Sequence, residues 1–150
     1  MSANEWQLDE LLAMFPDVSR GTRRVLRCLW RTSGEGRCLK QEAGFKRAAT
    51  VSLVASPATQ FLLRLVNEWP KGLGVAARRA VESELLQGIL EGTISCEDPP
   101  WQCRLDCTVV EWFPQEHGSS LVRLAALAAV QDLVQGGAWE AIGGPGDHVA

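Results

Sequence analysis

Tyrosine is missing from this 150-residue chain, and it holds only two histidines and two methionines. Acid–base chemistry near neutral pH therefore falls on His117 and His148, and His148 stands in a glycine-rich C-terminal stretch. His117 is close in sequence to Cys107, Ser119 and Ser120, but no Gly-x-Ser-x-Gly or comparable nucleophile turn surrounds them. The carboxylate pairs Glu82/Glu84 and Glu97/Asp98 read as solvated surface. These shortages predict a protein that is not an enzyme. No base precedes Arg20, so the positive start of a secretory signal is missing. The longest apolar run, 121–130, is too short to cross a bilayer and contains Arg123. Five cysteines, an odd number, read as reduced thiols. A cytoplasmic or nuclear location follows as the expectation, with no secretion and no membrane partner.

Cofactor and metal motifs are incomplete. Gly72-Leu-Gly-Val-Ala-Ala77 fits the glycine pattern of dinucleotide sites, but the segment before it reads as a helix ending at Pro70. Such a site needs a strand there. Cys96, Cys103, Cys107 and His117 are zinc-ligand types without the close cysteine pair that opens most structural zinc modules. No cofactor and no metal are expected, and Cys103 and Cys107 read as small buried residues of a strand.

The charge that is present is unevenly spread. Residues 1–17 hold four acids and no base, residues 18–47 hold nine bases against two acids, and residues 48–150 hold six bases against twelve acids. Within the basic island, Arg20, Arg23, Arg24, Arg27 and Arg31 recur at helical spacing, and on a helix they occupy about 100° of arc. No acid lies between Asp17 and Glu35 to pair with them. Guanidinium groups match phosphate or carboxylate oxygens, and Arg37, Lys40, Lys46 and Arg47 extend the strip. Val25, Leu26 and Leu29 should be buried behind it, with Trp30 at the boundary.

A second candidate surface is acidic. Asn4–Phe15 reads as an amphipathic helix with Leu8, Leu11, Leu12 and Phe15 at groove-docking spacing. Its Leu8-x-x-Leu11-Leu12 pattern resembles helices that dock on nuclear-receptor and coactivator partners. Met14-Phe15-Pro16 resembles the signature of ubiquitin-binding CUE domains. Gln41-Glu42-Ala43-Gly44-Phe45 stands where that family carries its closing di-leucine, and the chain is not assigned to it.

Further helices are expected over 57–69, 75–91 (stopped by Gly92) and 121–134. The last has only Arg123, Gln131 and Asp132 as strongly polar residues and should be the buried centre, with Leu124 and Leu127 inside. Thr32–Arg37 reads as a loop. Thr50–Ala55 and Gln102–Val109 read as strands, the latter from its clean alternation. Cys38–Glu42 pairs with the first of these across Ala43-Gly44-Phe45, but only weakly. The expected fold is therefore α+β and helix-dominated. About five helices surround a buried C-terminal helix beside a small antiparallel sheet, in one domain over 1–142, with a flexible tail over 143–150. The expected function is that of a small non-enzymatic regulatory or adaptor protein acting through protein binding. The alternative is RNA binding through the basic face from Arg20 to Arg31.

Overall fold

The computed structural model describes residues 4–17, 24–42, 44–66, 72–111 and 119–143. Within them lie three helices and seven strands, so the helix-dominated expectation is overturned. Strands β1 (Glu5–Gln7), β3 (Thr32–Glu42), β4 (Phe45–Pro57), β5 (Leu62–Leu65) and β6 (Cys103–Glu111) form one sheet in the order β1-β5-β6-β4-β3. Its pairs are antiparallel except β5–β6, which is parallel, so the sheet is mixed. The parallel pair is joined through α2 (Val75–Ser95), as a parallel connection requires. β2 (Val25–Cys28) and β7 (Trp139–Ile142) make a separate antiparallel ribbon, tied to the large sheet by a bridge between Arg27 and Gln102.

Alternation builds the core. Along β6, Cys103, Leu105, Cys107 and Val109 are buried while the residues between them are half-buried. Val51, Leu53 and Ala55 of β4 and Leu63 and Leu65 of β5 supply the same face. Helices α2 and α3 (Ser119–Leu133) close it, with Val81, Leu85, Ile89, Val122, Ala126 and Val130 in one cluster with the strands.

α3 is held by two glycine pairs. On β3, a Cβ at Gly34 would lie 2.6 Å from the Leu133 nitrogen, and one at Gly36 would overlap the backbone of Ala125 and Ala129. On α2, a Cβ at Gly88 would overlap the Arg123 carbonyl, and one at Gly92 would lie 2.9 Å from Val130 Cβ. Backbones approach this closely only where no side chain intervenes. Gly92, expected to stop α2, instead sits inside it as a packing site, and the helix continues to Ser95. The 32–37 segment, expected as a loop, is part of the strand on which α3 rests.

Other expectations are corrected too. The 57–69 helix is replaced by β5, because Leu63 and Leu65 alternate into the core between β1 and β6. The helix expected from Asn4 begins only at Leu8, after β1, as the seven-residue α1 (Leu8–Met14). α3 is clamped on two sides rather than enclosed: Leu124 is 46% exposed, and its buried residues are Leu121, Val122, Ala125, Ala126, Ala129, Val130 and Leu133. No helix among the described residues is long and apolar enough to cross a membrane. The expected tail lies outside the described residues after Gly143.

Candidate functional site

The arginine helix does not exist in the described part of the chain. Val25–Cys28 is a strand, and Leu26 and Cys28 exchange backbone hydrogen bonds with Pro99 and Gln102. A strand turns successive side chains to opposite faces, so the five-arginine face dissolves. Arg20 and Arg23 lie outside the described residues. Arg24 donates to Asp98 Oδ2 at 3.2 Å and Arg27 to Glu140 Oε1 at 2.8 Å. Both arginines are thus met by acids of the later, acid-rich half of the chain. Arg31 is exposed, as is Trp30 at 56%, while Val25 and Leu26 are half-buried and Leu29 is 38% exposed. Only Cys28 is buried within that ribbon strand.

The acidic helix turns inward. Leu8 and Leu11 are buried, and Leu12 and Phe15 pack against the core, so these side chains build the fold of their own chain. α1 is fixed at its start by a capping box, in which the Gln7 backbone N–H donates to Glu10 Oε1 at 3.0 Å.

The remaining predicted bases lie elsewhere, along the end of the β3–β4 hairpin. The register sets Lys40 opposite Arg47 and Gln41 opposite Lys46, and the strands close at Glu42 opposite Phe45 beside Gly44, whose φ is +81°. Arg37 lies a few residues back, opposite Thr50, and its Nε donates to Glu111 Oε1 at 3.2 Å. Thr50 Oγ1 donates to the same carboxylate oxygen at 3.1 Å. Four bases and one acid, Glu42, fall between residues 37 and 47.

Among the described residues, β6 pairs with β4 from Thr50 to Pro57, with a register shift between Thr50 and Val51. Beyond that irregularity β4 keeps β3 as its strand partner, and a bulge of this kind bends a strand away from its sheet. The glycine contacts also orient α3: Gly34 meets Leu133 and Gly36 meets Ala125 and Ala129, so the helix's N-terminal end points toward the hairpin end. That end carries the positive pole of the helix dipole. By alternation Lys40 stands on the sheet face that carries Gly34 and Gly36, the face on which α3 lies.

Lys40, Lys46 and Arg47 were legible as bases in the sequence, and the pairing of Cys38–Glu42 with the 50–55 strand was expected as a weak one; the register that sets Lys40 opposite Arg47 was not legible. The zinc-type residues are dispersed in role. Cys103 and Cys107 are buried on the apolar face of β6, and burial pushes both thiols far above their ordinary pKa. The Cys28 charge adds to this for Cys103, and the Asp106 charge for Cys107. Cys96 is half-buried and also raised by burial, and His117 lies outside the described residues. Among the described residues, no three metal-ligating side chains come together.

No protein-family model matches this chain, and no curated protein does. Among solved structures, it is similar to the crystal structure of ttk003000868 from Thermus thermophilus, with a TM-score of 0.53 and 16% sequence identity. The match covers 79% of this chain and 18% of that one, so this chain spans less than a fifth of the length of that protein. At such an identity the likeness is one of fold alone.

Proposed function

We propose that this chain is a non-catalytic binding module whose partner is RNA, engaged through its phosphate backbone by the basic end of the β3–β4 hairpin. The observation that carries this reading is the cross-strand placement of Lys40 opposite Arg47, with Lys46 next along the strand, on a hairpin toward whose end the positive end of α3 points. Phosphate contacts of this kind bind strongly and without sequence readout.

The test is fluorescence anisotropy with a labelled single-stranded RNA at two salt concentrations. Binding should weaken with a log–log slope of about −0.7 per phosphate contact. Lys40→Glu with Arg47→Glu should abolish it while the circular dichroism spectrum stays unchanged. Binding that ignores both salt and these substitutions would overturn the reading.

A protein partner is the second reading, and one observation favours it. β3 is an edge strand, and Leu39 on it is 50% exposed. An edge of this kind accepts an added strand. Leu39→Asp should block such a partner and leave RNA affinity within a few fold.

A further inference from the structure

Where the two sheets meet, a cavity of about 450 Å³ opens between the start of α1, the first residue of β2, the 59–61 loop and Trp101-Gln102. Small-molecule sites span roughly 300–1,000 Å³, so this one has room for a fused ring and a sugar. We propose that it binds a small uncharged heterocycle with donor and acceptor groups on its edge, of which an unphosphorylated nucleoside is the best-fitting class.

The lining carries the chemistry. Leu8, Phe61 and Trp101, all buried, give an apolar floor. Around it stand the amides of Gln60 and Gln102, and an amide offers a donor and an acceptor side by side. That pair matches the edge of a purine through two parallel hydrogen bonds. Among the described residues, Asp9 is the one charged side chain on the lining, and the lining includes no base. A phosphate placed here would therefore face a carboxylate across the cavity. The cavity and the basic hairpin end select opposite ligands, so the two proposals are independent.

The walls are fixed in advance. Trp101 Nε1 donates to Thr93 Oγ1 at 3.0 Å, and Thr93 Oγ1 donates to the Leu90 carbonyl at 2.8 Å. The Gln102 backbone N–H donates to the Leu26 carbonyl at 3.1 Å, and its own carbonyl accepts from the Cys28 N–H at 3.1 Å. The Gln102 amide is held on one side only: Nε2 donates to the Thr59 carbonyl at 3.3 Å, whereas Oε1 is buried with no donor. A buried acceptor without a donor is costly. A ligand that donates to Oε1 and accepts from Nε2 as this amide turns toward the cavity would satisfy the orphaned acceptor and replace the contact to Thr59.

The probe is adenosine, with AMP as the charged control, followed by the Trp101 indole N–H resonance of isotope-labelled protein. Adenosine at millimolar concentration should shift that resonance saturably, and AMP should bind at least tenfold more weakly. Gln102→Leu should weaken adenosine binding at least tenfold. Gln60→Leu, at an exposed position that leaves the fold intact, should weaken it severalfold. An unmoved resonance, equal binding of AMP, or full affinity in both variants would each overturn the assignment.

Discussion

Gly34 of β3 and Leu133 of α3 meet backbone to backbone: a Cβ on the glycine would stand 2.6 Å from the leucine nitrogen. One turn of helix nearer its N-terminus, Gly36 meets Ala125 and Ala129 in the same way. The contact also closes part of the sheet edge, because Asp132 Oδ2 accepts the Glu35 backbone N–H at 2.9 Å.

Substituting either glycine should therefore push α3 off the sheet. Gly36→Ala is expected to destabilise the protein by about 3 kcal/mol, the upper range for overpacking, because the obstructing atoms are backbone. Gly44→Ala is the control. It meets nothing within 4 Å but sits at φ +81°. It should cost only about 1–2 kcal/mol, from left-handed strain. Urea denaturation of the parent protein and the two variants checks the ranking.

Arg24 and Arg27 should be silent in RNA binding. Each already faces an acid, Asp98 or Glu140, across an exposed contact. Replacing both with Ala is expected to change RNA affinity less than twofold. The change in stability should be at most about 1 kcal/mol per pair, as for surface ion pairs. The same anisotropy titration reads the first quantity, and a urea melt the second.

Trp101 and Thr93 form a buried polar pair, with Thr93 only 1% exposed. Trp101→Phe should cost about 1–3 kcal/mol by leaving the threonine oxygen without its donor, beyond the loss of ring packing. Adding Thr93→Val to Trp101→Phe should cost less than the two single changes together, since removing both partners leaves no orphaned group. A double-mutant cycle by chemical denaturation measures the difference.

Alkaline pH should weaken the fold through Cys103 and Cys107. Their thiols are raised in the folded protein and return on unfolding to about 8.5. Above that pH the unfolded chain binds fewer protons than the folded one, so stability falls as pH rises. Two such thiols give a slope of up to about −2.7 kcal/mol per pH unit. Replacing both with Ala should flatten the fall in urea midpoint between pH 8 and 10. Native protein at pH 8 should likewise leave these two thiols unmodified by iodoacetamide.

The elements readable from the sequence are those whose pattern is local. β6 announces itself because Cys103, Leu105, Cys107 and Val109 alternate with Arg104, Asp106 and Thr108 over an uninterrupted run. The bulk of α2 and α3 is legible for the same reason, as is the 50–55 segment of β4.

The rest was decided by contacts far along the chain. Val25–Cys28 lies within the 20–31 run of arginines at helical spacing, but it pairs with Trp139–Ile142, more than a hundred residues away. Four residues of helical preference are outweighed by that ladder and by the hydrogen bonds to Pro99 and Gln102. Leu62–Leu65 reads equally well as one face of a helix until β1 and β6 flank it. Gly34 and Gly36 look like loop residues because composition cannot show that a helix backbone will lie on them. The basic cluster follows the same division. Its residue types, Arg37, Lys40, Lys46 and Arg47, are fixed by the sequence. Tertiary structure alone decided the register that sets Lys40 opposite Arg47 at a hairpin end and the acids to which Arg24 and Arg27 are paired, because strand register sets which distant residues become neighbours.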